Sequence, residues 1–405
     1  MTTQDNRVID TAATVTVAEP PAEPAPPRKA KRPYLYQVDL FRIITFACVV
    51  ADHVVSGSSG PDDVRAKSAE LLLHFTREAF FALTGFVLIY QYMDRPITAR
   101  AFWRRRFMAI GIPYVIWSVL YWVYSISLGN WSEPLGAALR RLVFDLATGQ
   151  AWYQMYFLFV TMQVYLLFPL LMRLLRATEG YHRWVLAVSA ALEVGFLYLW
   201  VYPPAFDGTA ADLWNHMFIV FVPYQFYIVL GAVAAWHFET LQRVVRRFGV
   251  WFVVAAVVTT VLAELEYVRS VHHGMPAEAA SQIFLPHLII FFVTVILGQY
   301  TLCCWWRNHR KDGSLVARAV TYGADRSFGV FLAHPFALQL IAPYIIPWQH
   351  TMGMVWTMVV VYAIVMTISL AIAETVRRIP GSLWLTGRPM IRTDFTPITR
   401  RTRAV

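Results

Sequence analysis

The residue types best suited to chemistry sit in the first apolar run: Asp39 and Arg42, then ten mostly apolar residues, then His53. An imidazole can exchange a proton near neutral pH, and a guanidinium binds anions through paired hydrogen bonds. The run, Tyr36 to Val55, is about long enough to cross a bilayer as a helix. A step of eleven residues is close to three helical turns, so Arg42 and His53 share a face, roughly 16 Å apart. Asp39 lies one turn before Arg42 and is its natural partner. Charge in hydrocarbon is costly, so an intramembrane Arg marks a functional site. A second reading stands beside this one. In it Asp39 and Arg42 snorkel to one interface and His53 meets the other. Helix geometry alone leaves both open.

Further polar groups fall in later runs. His74, Arg77 and Glu78 precede Phe80-Phe81-Ala82-Leu83-Thr84-Gly85-Phe86. Thr84 and Gly85 are small enough for a neighbouring helix to approach closely. Arg77 and Glu78 either line a polar cavity beside His53 or form a local ion pair at the interface. Arg104, Arg105 and Arg106 end a loop before Phe107 and suit a polyphosphate ligand, although any inner loop needs positive charge for topology. Pro113 is expected to bend the third run and free a backbone carbonyl. Gln163 at mid-depth is suited to an interhelical hydrogen bond, and Trp152, Tyr153 and Tyr156 to an interfacial belt. Glu193, Glu264, His287 and His334 are further buried polar residues; a lone intramembrane His commonly links helices. There is no nucleophile elbow, Gly-rich phosphate loop or metal-ligand spacing, so no metal is expected. Cys48, Cys303 and Cys304 read as small apolar packing residues.

The elements that must position these groups follow from composition. The 405 residues are 58% hydrophobic and only 15% charged, whereas a soluble domain is nearer a quarter charged. The chain therefore reads as an all-α polytopic membrane protein. Apolar runs at 36–55, 71–92, 107–128, 152–172, 184–200, 214–236, 250–267, 283–306, 328–346 and 355–374 give about ten spans. A net charge of +10 raises nucleic acid as a partner, but the arginines cluster between apolar runs and form no basic face. With the N-terminus inside, 28 of the 35 Lys and Arg fall on the inner side and only 5 on the outer. Both termini are accordingly expected in the cytoplasm. Three regions result: a disordered cytoplasmic tail over 1–33, a membrane domain over 34–376 and a basic cytoplasmic tail over 377–405. No soluble catalytic domain is expected, which leaves any chemistry to the bundle and its loops.

Taken together, these stretches resemble the membrane acyltransferase-3 family, integral-membrane O-acyltransferases that use acyl-CoA. The resemblance runs from Tyr36 to Glu374. It rests on Asp39, Arg42 and His53, on Phe80 to Phe86, on Arg104 to Arg106 followed by Pro113, and on the segments Trp152–Pro169 and Ser327–Pro335. Thr84 stands where the family more often has Ser. The resemblance implies an acyl-CoA co-substrate, commonly acetyl-CoA, with no permanently bound cofactor. It implies a hydroxyl acceptor on a carbohydrate, glycolipid or glycosylated metabolite, and a multi-pass place in the plasma membrane. Combined with the topology, it assigns Arg104, Arg105, Arg106 and Arg42 to the donor's anionic part at the cytoplasmic mouth. His53, toward the outer face, becomes the general base, with Glu78 rather than the adjacent Asp52 as its steadying carboxylate. The outer loops 57–70, 129–150, 202–213 and 269–282 are expected to form the acceptor site. The competing class is a transporter or flippase using the same buried charges as a relay.

Overall fold

The computed structural model describes residues 32–95, 98–127 and 134–391, and the compact bundle begins at Leu35. Of the expected disordered tail, 1–33, the part up to Lys31 lies outside the described residues, as does the expected basic tail, 377–405, from Arg392 on; residues 377–391 of that tail are described and include a short helix. Among the described residues every regular element is a helix.

The first, α1 (Tyr36–Gly57), is the hub, in contact with α2 (Val64–Leu73) and α3 (Phe75–Tyr92). The Asp63 carboxylate caps α2 by accepting from the N–H groups of Arg65 and Ala66 at 3.1 and 3.0 Å. The second apolar run therefore begins earlier than its hydrophobicity suggests and is divided at His74. Next come α4 (Ala99–Ser127), the amphipathic α5 (Leu135–Thr148), α6 (Met155–Ala177), α7 (His182–Val201) and the short α8 (Thr209–Asn215). Two 3₁₀ turns lead into α9 (Gln225–Trp236), and α10 (Phe238–His272) follows. The chain closes with α11 (Ala277–Ala280), α12 (Leu288–His309), α13 (Leu315–Met352), α14 (Met354–Val376) and α15 (Ser382–Thr386). Helices α12, α13 and α14 complete the ring around α1.

Among the described residues, eight stretches are long and apolar enough to cross a membrane: α2 with α3, α4, α6, α7, α10, α12, α13 and α14. The protein is a polytopic, all-helical membrane protein. The expected ten differs at two places. The first run, α1, carries Asp39, Arg42 and Asp52 within 22 residues. The sixth is broken: Pro223 lies in a 3₁₀ turn, and only 12 residues remain for α9. Gln163 satisfies part of this broken backbone, donating to Ile219 O at 2.7 Å and accepting from Phe221 N at 3.1 Å.

The close approach expected at Gly85 is made by α9. A Cβ on Gly85 would run into the Ile228 carbonyl, and one on Gly231 into that of Ala82, so both helices need glycine at the crossing. Pro113 lies within a continuous α4 and leaves the Ala109 carbonyl without its helical donor. Gly387 packs against that carbonyl, while Trp117 Nε1 donates to Leu385 O at 2.9 Å. The segment around α15 is thereby fixed against α4. Cys303 and Cys304 are buried in the apolar core, and Cys48 packs against it.

Candidate active site

The Asp39–Arg42 pair of α1 is local: Arg42 Nη1 lies 3.8 Å from Asp39 Oδ1, with Asp39 buried. Arg42 and Arg106 both have Tyr165 of α6 within electrostatic reach. Arg106 turns inward, its guanidinium 5.4 to 5.8 Å from the rings of Tyr92, Phe102 and Tyr165, and donates to Gln91 Oε1 at 2.6 Å. Arg104 and Arg105 do not join it. The expected loop is the first part of α4, and consecutive helical residues diverge by about 100°, which leaves both of them exposed.

At the other end of α1, His53 is held by another imidazole. Its Nδ1 lies 2.7 Å from Nε2 of His334, and the two ring planes are within 3° of parallel. His334 Nδ1 in turn lies 2.7 Å from the Phe331 carbonyl, which can only accept. That contact places the His334 proton on Nδ1 and leaves its Nε2 as an acceptor. His53 must then donate from Nδ1, so its Nε2 keeps a lone pair, with no hydrogen bond among the described residues. The chain of bonds fixes one tautomer, the one that can accept a proton. Tyr153 closes the other side, its ring edge-on at 4.7 Å.

This arrangement corrects the assignment of Glu78 as the group that steadies His53. Glu78 Oε1 takes Arg77 through Nε at 3.1 Å and Nη2 at 2.5 Å. The Arg77 guanidinium also lies 4.9 Å from the rings of Tyr224 and Phe284, with Tyr156 within electrostatic reach. Both readings of Arg77 and Glu78 are thus partly met. They form a local pair, but a buried one, and Arg77 lines the cavity beside His53.

That cavity, about 150 Å³, is lined by Asp52, His53, His74, Arg77, Gln154 and Tyr156 above a floor of Phe80, Phe157 and Phe331. Asp52 faces His74 across 3.9 Å. Phe46 of α1 packs against Phe80 and Phe331, centroids 4.4 and 5.7 Å apart, so aromatic rings lie between the Arg42 end and the cavity. The cavity draws on α1, the α2–α3 junction, the start of α6 and α13, and from the outer-loop region only Ile283, next to 269–282, contributes. Although His53 is near the Gly57 end of α1, its partner His334 sits near the middle of the 38-residue α13, deeper than the first run alone suggests.

Sequence reasoning treated His334 as a helix-linking histidine. It does link α13 to α1, but its role in fixing His53 needs the two helices side by side, and their residues are 281 apart. The available signal was the Ser327–Pro335 segment. Asp52, His74, Gln154 and Tyr156 carried no spacing signal toward His53. Of the other polar residues expected to be buried, Glu193 is, accepting from Gln225; Glu264 is half-buried and accepts from Ser68, and His287 is exposed.

Comparison with known proteins places this geometry. A curated acyltransferase, MdmB of Streptomyces mycarofaciens, is 29% identical over 187 residues, covering 42% of this chain and 46% of the relative. The matched region is thus less than half of that relative's length. No solved structure matches. The acyltransferase-3 model, described as an acyltransferase domain, matches residues 35–374, from the first residue of the bundle to the last turn of α14. The chain belongs to this acyltransferase family.

Proposed function

We propose that the protein transfers a short acyl group, acetyl above all, from acyl-CoA to a hydroxyl of a carbohydrate, glycolipid or glycosylated metabolite. The observation that carries this reading is the His53 tautomer, with a lone pair on Nε2 at a small polar cavity. In the reaction the acceptor hydroxyl attacks the thioester carbonyl while its proton moves to His53 Nε2. The tetrahedral adduct collapses, the carbon–sulfur bond breaks, and the CoA thiolate recovers the proton from the imidazolium. Throughout, His53 Nδ1 keeps donating to His334, so the ring holds its orientation as it cycles.

The donor enters from the cytoplasmic side, with both termini on that side and the bundle in the plasma membrane. Its anionic part is assigned to Arg42 and Arg106, which share Tyr165, more than to the outward-facing Arg104 and Arg105. The roughly 16 Å between Arg42 and His53 along α1 suits an extended pantetheine arm. A cavity of about 150 Å³ is roughly five water volumes, enough for a two- to four-carbon acyl group.

Labelled acetyl-CoA supplied to membranes containing the protein and its cell extract tests this reading. Label should appear in ester that mild base releases, with matching release of CoA. Movement of a labelled solute with no CoA consumed would instead support the transporter class.

A further inference from the structure

A general base answers only half of the charge that develops during acyl transfer. The other half appears on the carbonyl oxygen of the thioester as it becomes tetrahedral, and it needs a donor already in place. We propose, on the basis of the acyl-transfer reading above, that the side-chain amide of Gln154 is that donor.

Arg77 is held by Glu78 and two rings, and His74 faces Asp52, with His74 Nδ1, Asp52 Oδ1 and Glu78 Oε2 left without a hydrogen-bond partner among the described residues. Gln154 is unpaired at both ends of its amide. It is 2% exposed, lines the same cavity as His53, and neither amide atom has a partner within hydrogen-bond distance among the described residues. The Tyr121 hydroxyl, whose own proton goes to Leu332 O at 2.6 Å, is within reach of the amide, and its oxygen can accept from one of the two Gln154 N–H groups at most. A buried amide with an unsatisfied N–H group, facing the cavity that holds the base, is a site awaiting an acceptor oxygen.

Its position is fixed rather than mobile. Gln154 directly precedes α6, in a turn closed by Met155 N to Trp152 O at 2.9 Å, and Phe157 N bonds the Gln154 carbonyl at 3.3 Å. In the proposed step Gln154 keeps its protons. The hydroxyl oxygen bonds to the carbonyl carbon, His53 takes the hydroxyl proton, and the negative carbonyl oxygen accepts from the Gln154 amide. When the carbon–sulfur bond breaks, the carbonyl reforms and that hydrogen bond weakens.

The test compares wild type with Gln154→Met, similar in length but without a donor, in source-cell membranes supplied with acetyl-, propionyl- or butyryl-CoA and cell extract. Maximal turnover per folded molecule should fall about 10²- to 10³-fold, with KM for acetyl-CoA changed less than about threefold. A second readout replaces acetyl-CoA by its dithioester, whose sulfur is a poor hydrogen-bond acceptor. Wild type should strongly prefer the thioester, with its carbonyl oxygen, and Gln154→Met should lose most of that preference. Turnover within about threefold of wild type, or an unchanged oxygen preference, would overturn the role of Gln154 while leaving acyl transfer intact. Absence of transfer by the wild type with all three donors would overturn the acyl-transfer reading itself, and Gln154 with it.

Discussion

Two hydrogen-bonded histidine pairs occur in this bundle, built alike and placed differently. In one, His53 meets His334 at 2.7 Å and His334 meets the Phe331 carbonyl at 2.7 Å. In the other, His237 meets His182 at 2.8 Å and His182 meets the Leu175 carbonyl at 2.8 Å. The carbonyl fixes the inner ring's tautomer each time, and the outer ring is left with one free nitrogen. For His53 that nitrogen belongs to a residue lining a cavity that several polar side chains share with aromatic rings. His237 is exposed, at the junction of α9 and α10, where the pair ties the α6–α7 turn to that junction. The bond pattern therefore does not make a catalyst. A confined space beside the lone pair, stocked with other polar groups, is what distinguishes the first pair.

The comparison can be broken most forcefully at Glu78. Replacing it by Ala leaves Arg77 buried without its counter-ion, which should cost about 3–5 kcal/mol and sharply reduce folded protein, read as detergent-extractable monodisperse material. Normal yield and stability would show that the ion pair is not structural. His334→Ala should slow transfer about ten- to a hundredfold, through loss of the bond that orients His53. His334→Gln, whose amide can accept from His53 and donate to Phe331 O, should recover much of the rate; equal loss in both variants would contradict a tautomer role. Arg106→Ala should raise the acyl-CoA KM several-fold, whereas Arg104→Ala and Arg105→Ala should do so weakly, in keeping with their exposure on α4. Equal effects from all three would restore the single-cluster assignment. The smallest change is expected from His237→Ala, within about twofold of wild-type turnover, because an exposed hydrogen bond contributes little.

Much of the frame was legible in the sequence because a membrane imposes long apolar runs. Eight of the ten runs stand as spanning helices, and Gln163 and Gly85 do what their types suggest. The misreadings have local causes. Arg104 to Arg106 looked like a loop because charge ends an apolar run, yet arginine is a good helix former and α4 begins before it. Pro223 broke the sixth run despite its hydrophobicity. The site was half legible. Arg42 and His53 lie on one helix, where spacing speaks, but His334 and Gln154 reach the cavity from α13 and the start of α6. Nothing in a linear pattern reports which buried polar residues face one another across helices. Helix geometry favours Glu78 over the adjacent Asp52, which points about 100° away from His53, but the neighbouring Arg77 claims Glu78.

The central claim, that His53 Nε2 removes the acceptor proton, is tested most directly by single-turnover acyl transfer with the His53→Ala protein. Membranes matched for folded protein should transfer label from acetyl-CoA at a rate lower by about 10²- to 10⁴-fold, with insertion and thermal stability near wild type. Near-normal transfer by His53→Ala would contradict the account.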